Sequence, residues 1–102
     1  MAIVNSENKY YALITQFADR LHITDEEKKS LRRDSTIMIE NLTDIFDTGR
    51  KPRTVIASIL FIIVMKNNLN IDMKDMSIAS NVCAQSIQKC VSFIKKEYKL
   101  DF

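Results

Sequence analysis

PRTVIASILFIIVMK, residues 52–66, is the stretch that decides the fold, because its apolar run from Val55 to Met65 is broken only by Ser58. The run is too short to cross a bilayer, which takes about 20 residues of helix. Proline is favoured at the first position of a helix, which is where Pro52 would stand, and no turn signal follows it for about 15 residues. We therefore predict a central helix that is covered on nearly every side by the rest of a small all-helical domain.

The composition favours one all-helical domain. The chain has 102 residues, with one glycine and one proline. A domain of this size buries roughly 60 to 65% of its unfolded surface, so it can fold without a metal or a disulfide. The tight turns of an all-β fold need more glycine and proline than this chain has. We expect a single domain over residues 1–102.

The sequence lacks the residues for a metal site or for catalysis. Cys83 and Cys90 are seven residues apart, two helical turns, which is too far for a disulfide along one helix, so both are expected to be free. His22 is the only histidine and no CxxC pair accompanies it, which rules out a four-ligand zinc site. No glycine-rich phosphate loop exists either. We expect no catalytic residue, no metal and no cofactor, and hence no enzyme.

The N-terminus, MAIVNSENKYY, has neither the charged start nor the apolar core of a signal peptide, and we expect an intracellular protein without a membrane partner.

Charge is divided unevenly along the chain. Residues 1–47 carry six Lys or Arg against nine Asp or Glu, a balance of −3, whereas residues 48–102 carry nine against four, a balance of +5. A basic half is suited to a polyanionic partner. A solvated face that is merely rich in lysine remains the alternative on charge alone.

The apolar spacing predicts a first helix that Ser6 caps. Its inward residues recur at intervals of three and four, and they are Tyr10, Leu13, Ile14, Phe17, Ala18 and Leu21.

A second helix is predicted to begin at a capping box of Thr24 and Glu27 and to run to about Phe46. Ser35 marks a small-residue position where another helix can approach. Gly49, the only glycine, follows the pattern directly, and we expect it to end this helix with a positive φ.

The remaining sequence predicts a helix-turn-helix over residues 72–98. Asp72 is a suitable N-cap for a short helix that ends near Ser80. Asn81 tolerates the left-handed conformation of a tight turn. A last helix then spans Cys83 to Tyr98. Taken alone this pattern is weak, because helix-turn-helix shapes also occur in domains that never bind DNA.

The outward face of the last helix is polar and cationic. Side-chain amides can read base edges in the major groove, and the amides predicted to do so are Gln85 and Gln88. Hydroxyl and ammonium groups bind phosphates, and those predicted to contact the DNA backbone are Ser86, Lys89, Ser92, Lys95 and Lys96. Further basic contacts are expected from Arg50, Lys51 and Arg53.

These motifs together resemble the C-terminal cyclin-like repeat of the transcription factor IIB family. That repeat opens its alanine-rich central helix with Gly-Arg-Ser-Pro, and later has a Gly-Val turn and a Thr-Ile pair at the start of its recognition helix. The matching positions here are Gly49-Arg50-Lys51-Pro52, Thr54-Val55, Ala57, Ile59-Leu60, Asn81-Val82 and Ser86-Ile87, with Phe17-Ala18 and Leu21 matching the opening of the repeat. The resemblance covers nearly the whole chain.

The resemblance implies a five-helix cyclin-like fold that binds double-stranded promoter DNA beside the TATA-binding protein. Its recognition helix would lie in the major groove upstream of the TATA element, with Gln85 and Gln88 at the base-contacting positions. The family often has Val and Arg at those two places, so its base preference does not carry over. Lys51 replaces the family's capping Ser, and Asn81 replaces its Gly.

The family's zinc ribbon, polymerase linker and first cyclin-like repeat are not in this sequence, so contact with RNA polymerase is expected only through regions absent here. The chain is rich in Ile, Lys and Asn, a composition that is typical of AT-rich coding sequences. Together with the resemblance, this composition suits a divergent viral, archaeal or protozoan factor. Its compartment would be the nucleus, or the cytoplasm for an archaeon or a cytoplasmic DNA virus.

Two other functions are compatible with the sequence. One is a cyclin-like protein-interaction module, in which a groove beside the central helix binds a helix of a partner protein and the lysines only face solvent. The other is a helix-turn-helix regulator of a different kind. This function is less favoured, because the first two helices fit the cyclin-like repeat.

Overall fold

A computed structural model describes residues 4–42 and 44–100, and for residues 4–9 it describes the backbone alone. The described chain is all-helical and contains no β-strand. Its elements are α1 (Val4–Asp19), α2 (Asp25–Asn41), a 3₁₀ turn (Ile45–Asp47), α3 (Pro52–Lys66), α4 (Met73–Ser80) and α5 (Ala84–Glu97). None of these helices combines the length and the apolar character needed to span a lipid bilayer.

The central position of α3 is confirmed. Its bounds are those of the quoted stretch, and nine of its 15 residues are buried. The other four α-helices and the 3₁₀ turn all contact α3 directly. Pro52 lies in its first turn, as predicted, while the N-cap residue Lys51 makes no side-chain capping bond. The apolar run therefore forms the axis of one core.

The start of α1 differs from the prediction. The helix already includes Val4, so Ser6 lies within it and does not cap it. No proline or glycine precedes Ser6 in the sequence, and a good capping residue does not end a helix that the preceding backbone can continue. The predicted inward face is correct at Ile14, Phe17 and Leu21, which are buried.

The capping box at the start of α2 is confirmed. The Thr24 hydroxyl accepts from the Glu27 amide at 3.1 Å, and the Glu27 carboxylate accepts from the Thr24 amide at 2.9 Å. Ser35 occupies the predicted small-residue position and is fully buried, and its hydroxyl has no hydrogen-bond partner within the part of the chain that the structure describes.

The C-terminal end of α2 lies earlier in the sequence than predicted. The helix stops at Asn41 and not near Phe46, because the chain turns at Asp44 with a φ of 64° and continues as the 3₁₀ turn. The apolar spacing persists through this break, since the 3₁₀ turn also directs Ile45 into the core. Gly49 has the predicted positive φ, 85°, but it follows the 3₁₀ turn and does not end α2.

Candidate nucleic-acid interface

Helices α4 and α5 are joined by a turn of three residues. At the start of α4, the Asp72 carboxylate accepts from the Asp75 amide at 2.8 Å, and the Asp75 carboxylate accepts from the Asp72 amide at 3.2 Å. Asp72 is therefore the N-cap that the sequence predicted. At the other end, Asn81 adopts the predicted left-handed conformation, with φ 57° and ψ 38°.

Serine side chains close the corner between the two helices. The Ser77 hydroxyl donates to the Val82 carbonyl at 2.6 Å, across the turn. The Ser80 hydroxyl donates to the Met76 carbonyl at 2.7 Å, one helical turn back, and Ser80 is fully buried. Because both polar groups bond to nearby backbone, the short side chains let the helices approach without leaving a buried hydroxyl unpaired.

The inner side of α5 packs on α3 and α4. Its buried residues are Ile87, Cys90, Val91 and Ile94. Cys90 is a free thiol whose pKa is raised by burial, an effect that a hydrogen bond with Ser58 and the charge of Arg50 partly offset. The proton of the Ser58 hydroxyl is donated to the Thr54 carbonyl, at 2.7 Å. This side of α5 is therefore fully occupied by the fold.

The outer side of α5 is open to solvent and carries the predicted contact residues. Those that are exposed are Gln85, Ser86, Gln88, Lys89, Ser92 and Lys96, whereas Lys95 is half-buried. Successive residues of an α-helix are rotated by about 100° around the helix axis. Most of this set therefore forms one stripe along the outer side of α5, and Ser86 and Lys95 lie at its opposite edges. The structure thus brings the two amides and the lysines onto one face.

Arg50 is anchored to the edge of that face. Its guanidinium lies 3.9 Å from the centre of the Phe93 ring, and Phe93 is two helical turns beyond Ser86 on α5. A cation held over an aromatic ring is attracted by about 0.5 to 1 kcal/mol at an exposed site. The loop before α3 therefore adds a positive charge beside α5. Lys51 in the same loop is exposed.

Arg53 makes a structural contact that its predicted role did not include. Its guanidinium donates to the Ser80 carbonyl at 2.9 Å and lies 5.3 Å from the centre of the Phe17 ring. A guanidinium has five donor N–H groups, so this single hydrogen bond leaves others available to a phosphate.

Arg20 contacts the same corner, and the sequence analysis missed it. The Arg20 guanidinium donates to the Ala79 carbonyl at 3.0 Å. The two residues are 59 positions apart in the sequence, and no local pattern relates them. Only the packing of the end of α1 against α4 brings them together.

The charged side chains of α5 are all cationic up to its final residue, Glu97. Its first turn has no acidic residue and its last turn contains Lys95 and Lys96.

Desolvation raises the pKa of Tyr98, just after the helix, and the charges of Asp44 and Glu97 act in the same direction. Among the described residues, no group of three or more His, Cys, Asp or Glu side chains is arranged to hold a metal ion.

Comparison with known proteins identifies the family. Residues 4–97 match the family model described as the transcription factor TFIIB repeat, and this range contains all five α-helices. A search of curated proteins and a search of solved structures gave no significant match. The match covers far more than half of the chain and agrees with its cyclin-like arrangement of five helices, in which four pack around α3, so the chain belongs to the transcription factor TFIIB repeat family.

Proposed function

We propose that this chain is a module of a general transcription initiation factor, and that it binds double-stranded promoter DNA beside the TATA element together with the TATA-binding protein. The observation that carries the proposal is the outer side of α5, which presents exposed amides and lysines on one face of a helix-turn-helix. Membership of the TFIIB repeat family, a family of transcription factors, supports the same assignment.

In this proposal the amides of Gln85 and Gln88 read base edges. Both are exposed and lie three residues apart, so both point from the same side of α5 near its start. An amide pairs with the N6 and N7 positions of adenine, and each good bidentate pair discriminates against the wrong base by about 1 to 3 kcal/mol. Recognition helices of this kind contact bases with their N-terminal residues.

The surrounding polar groups bind phosphates. On α5 these groups belong to Ser86, Lys89, Ser92, Lys95 and Lys96. In the loop before α3 they belong to Arg50 and Lys51, and in the first turn of α3 to Arg53. Each cation that neutralises a phosphate releases a counterion, so the affinity of this surface for any DNA falls as salt rises. Such contacts orient the module, while the glutamines supply the sequence preference.

The proposed partners and location follow from this role. The TATA-binding protein is the protein partner, and RNA polymerase would be contacted through regions absent from this chain. The module acts where DNA is transcribed inside the cell, in the nucleus or, for an archaeon or a cytoplasmic DNA virus, in the cytoplasm. It binds without catalysis and needs no metal, cofactor or membrane.

A groove beside α3 favours a second candidate, the cyclin-like protein-interaction module. The groove has a volume of about 400 Å³ and lies between α2 and the end of α3. Its apolar lining residues include Ile37, Met38, Ile63 and Leu100, and Ile37 is 47% exposed. A helix of a partner protein could bury the exposed part of Ile37 and of the half-buried Met38 and Leu100.

An electrophoretic mobility shift on a TATA promoter, with and without the TATA-binding protein, tests the first proposal. Replacing Gln85 and Gln88 by Ala should lower discrimination among promoter variants by about 1 to 3 kcal/mol per lost base contact, with little change in non-specific affinity. Replacing Lys89, Lys95 and Lys96 by Ala should weaken binding to all sequences and reduce the log-log salt slope by about one unit per lost phosphate contact.

The matched control removes three cations from α2, as Lys28→Ala, Lys29→Ala and Arg33→Ala. It changes the net charge by the same amount as the lysine set on α5, and it should leave the salt slope nearly unchanged. If the complex with the TATA-binding protein forms equally well after all five α5 replacements, the DNA role is wrong and the protein-interaction function takes its place.

A further inference from the structure

The ends of three helices meet at the last turn of α4. Arg20, directly after α1, donates to the Ala79 carbonyl at 3.0 Å. Arg53, in the first turn of α3, donates to the Ser80 carbonyl at 2.9 Å. The two guanidiniums therefore bind consecutive backbone carbonyls from two different parts of the chain.

These carbonyls are the groups that a helix leaves unpaired at its C-terminus. The last four C=O groups of an α-helix have no partner within it, and they carry the negative end of the helix dipole. A cation that donates a hydrogen bond there satisfies the carbonyl and the dipole together. Two arginines at adjacent carbonyls bind the end of α4 to α1 and to α3.

The turn that these contacts hold determines where α5 lies. Asn81 follows Ser80 immediately, in the left-handed conformation, and α5 begins at Ala84. The amides of Asn81 and Val82 both donate to the Ser77 carbonyl, which closes the turn within α4 itself. With so few residues in the turn, a change in the last turn of α4 changes the direction of α5.

We infer that Arg20 and Arg53 are positioning residues, which hold the end of α4 against α1 and α3 and thereby set the angle at which α5 presents its outer face. They act through the backbone of the turn and not through contact with bases. The effect on DNA recognition rests on the proposed function, whereas the effect on the turn itself does not.

The test replaces both arginines by methionine, as Arg20→Met and Arg53→Met, because methionine keeps an unbranched side chain and removes the charge and the donors. The matched control is Lys29→Met with Arg33→Met, which removes two cations from exposed positions on α2. The pair Arg20→Lys and Arg53→Lys restores a cation and a donor at each position. Circular dichroism establishes that each variant is folded.

The first readout is hydrogen exchange of backbone amides, which needs no DNA. In the methionine pair, the amides of Asn81 and Val82 should exchange about tenfold faster, while the amides in the middle of α3 keep their wild-type rates. The control pair should match wild type, and the lysine pair should recover at least part of the protection. Unchanged exchange in a folded methionine pair would overturn the inference.

The second readout is the mobility shift with the TATA-binding protein. The methionine pair should lose about tenfold in discrimination between the preferred promoter and a scrambled site, and the control pair should not. If wild type binds no DNA, the proposed function fails while the exchange result still decides the positioning role. If wild type discriminates and the folded methionine pair discriminates equally well, the positioning role in recognition is wrong. Should the methionine pair not fold, the two single methionine variants give the same comparison.

Discussion

Helices α3 and α5 are nearly equal in length but differ in how much of their surface the fold uses. Nine of the 15 residues of α3 are buried, whereas four of the 14 residues of α5 are. Every other helix packs on α3, while α5 packs on α3 and α4 along one side. A helix that is covered on nearly every side is constrained by packing, so the fold determines most of its residue types. A helix that is covered on one side keeps a second side whose residues can be chosen for binding.

The largest expected effect comes from placing a charge in α3. Ile59 is fully buried and Ile63 is 2% exposed. Ile59→Asp or Ile63→Asp places a carboxylate in an apolar interior without a partner, and each should destabilise the fold by more than about 4 kcal/mol. Thermal unfolding followed by circular dichroism should lose its cooperative transition.

The control for the aspartate variants is Ile59→Val, which should cost about 0.5 to 1.5 kcal/mol and keep a cooperative transition. If both aspartate variants melt within a few degrees of wild type, α3 is not the centre of the core.

The prediction of α3 was correct because an apolar run interrupted only by Ser58 directly indicates a buried segment. The capping box of α2 and the N-cap residue Asp72 of α4 were also predicted, since the side chain and the backbone that it caps are three residues apart, whereas the reciprocal bond from Asp75 was not predicted. The end of α2 could not be predicted from spacing. An apolar residue at Ile45 reaches the core equally well from a longer α-helix or from a 3₁₀ turn, and the turn at Asp44 has no glycine or proline to signal it.

Part of the candidate site was likewise visible in the sequence. The outer face of α5 follows from its helical period, and the structure finds its members on one side. The positions of the arginines do not follow from any local pattern. Arg50 reaches Phe93, Arg53 reaches Ser80 and Arg20 reaches Ala79 only through the packing of distant helices.

The next effect concerns the turn that leads into α3 and places Arg50 beside α5. Gly49 has a φ of 85°, and a Cβ atom at this position would meet no heavy atom within 4 Å from the other described residues, its two chain neighbours aside. Gly49→Val should therefore cost about 1 to 2 kcal/mol through backbone strain alone. Urea unfolding measures this cost.

Gly49→Asn is the control for this turn, because asparagine tolerates the left-handed region better than valine does, and it should cost less. Equal stability of the valine variant and wild type would contradict the strained turn.

A smaller effect is expected at the contact between α3 and α5. Burial raises the pKa of the Cys90 thiol above its usual value of 9.0, so the folded state holds this proton more tightly than the unfolded state does. The contribution of the protonated Cys90 thiol to the free energy of unfolding is therefore complete below about pH 9, and it is lost as the pH rises above that value. One proton limits the slope to about 1.4 kcal/mol per pH unit.

Urea unfolding between pH 8 and pH 10 measures this slope. Cys90→Ala should flatten it, and Cys83→Ala, which removes an exposed thiol, is the matched control. The two variants are compared by their slopes, because removing a buried sulfur also lowers stability at every pH. A slope that is unchanged in Cys90→Ala would assign the alkaline loss to other groups.

The smallest expected effect on stability is on the outer side of α5, and it completes the comparison with α3. Gln85, Gln88, Lys89 and Lys96 are exposed, and surface substitutions of this kind usually change stability by no more than about 0.5 kcal/mol. Alanine is also the best helix former, so its introduction should not weaken α5 itself. The free energies of unfolding of the Gln85→Ala, Gln88→Ala pair and of the Lys89→Ala, Lys96→Ala pair should therefore match wild type within that range. Any loss of DNA binding in these variants then measures a lost contact and not a lost fold. If the Lys89→Ala, Lys96→Ala pair instead unfolds as easily as Ile59→Asp, the outer side of α5 has a structural role, and the separation between a helix that builds the fold and a helix proposed to bind DNA does not hold.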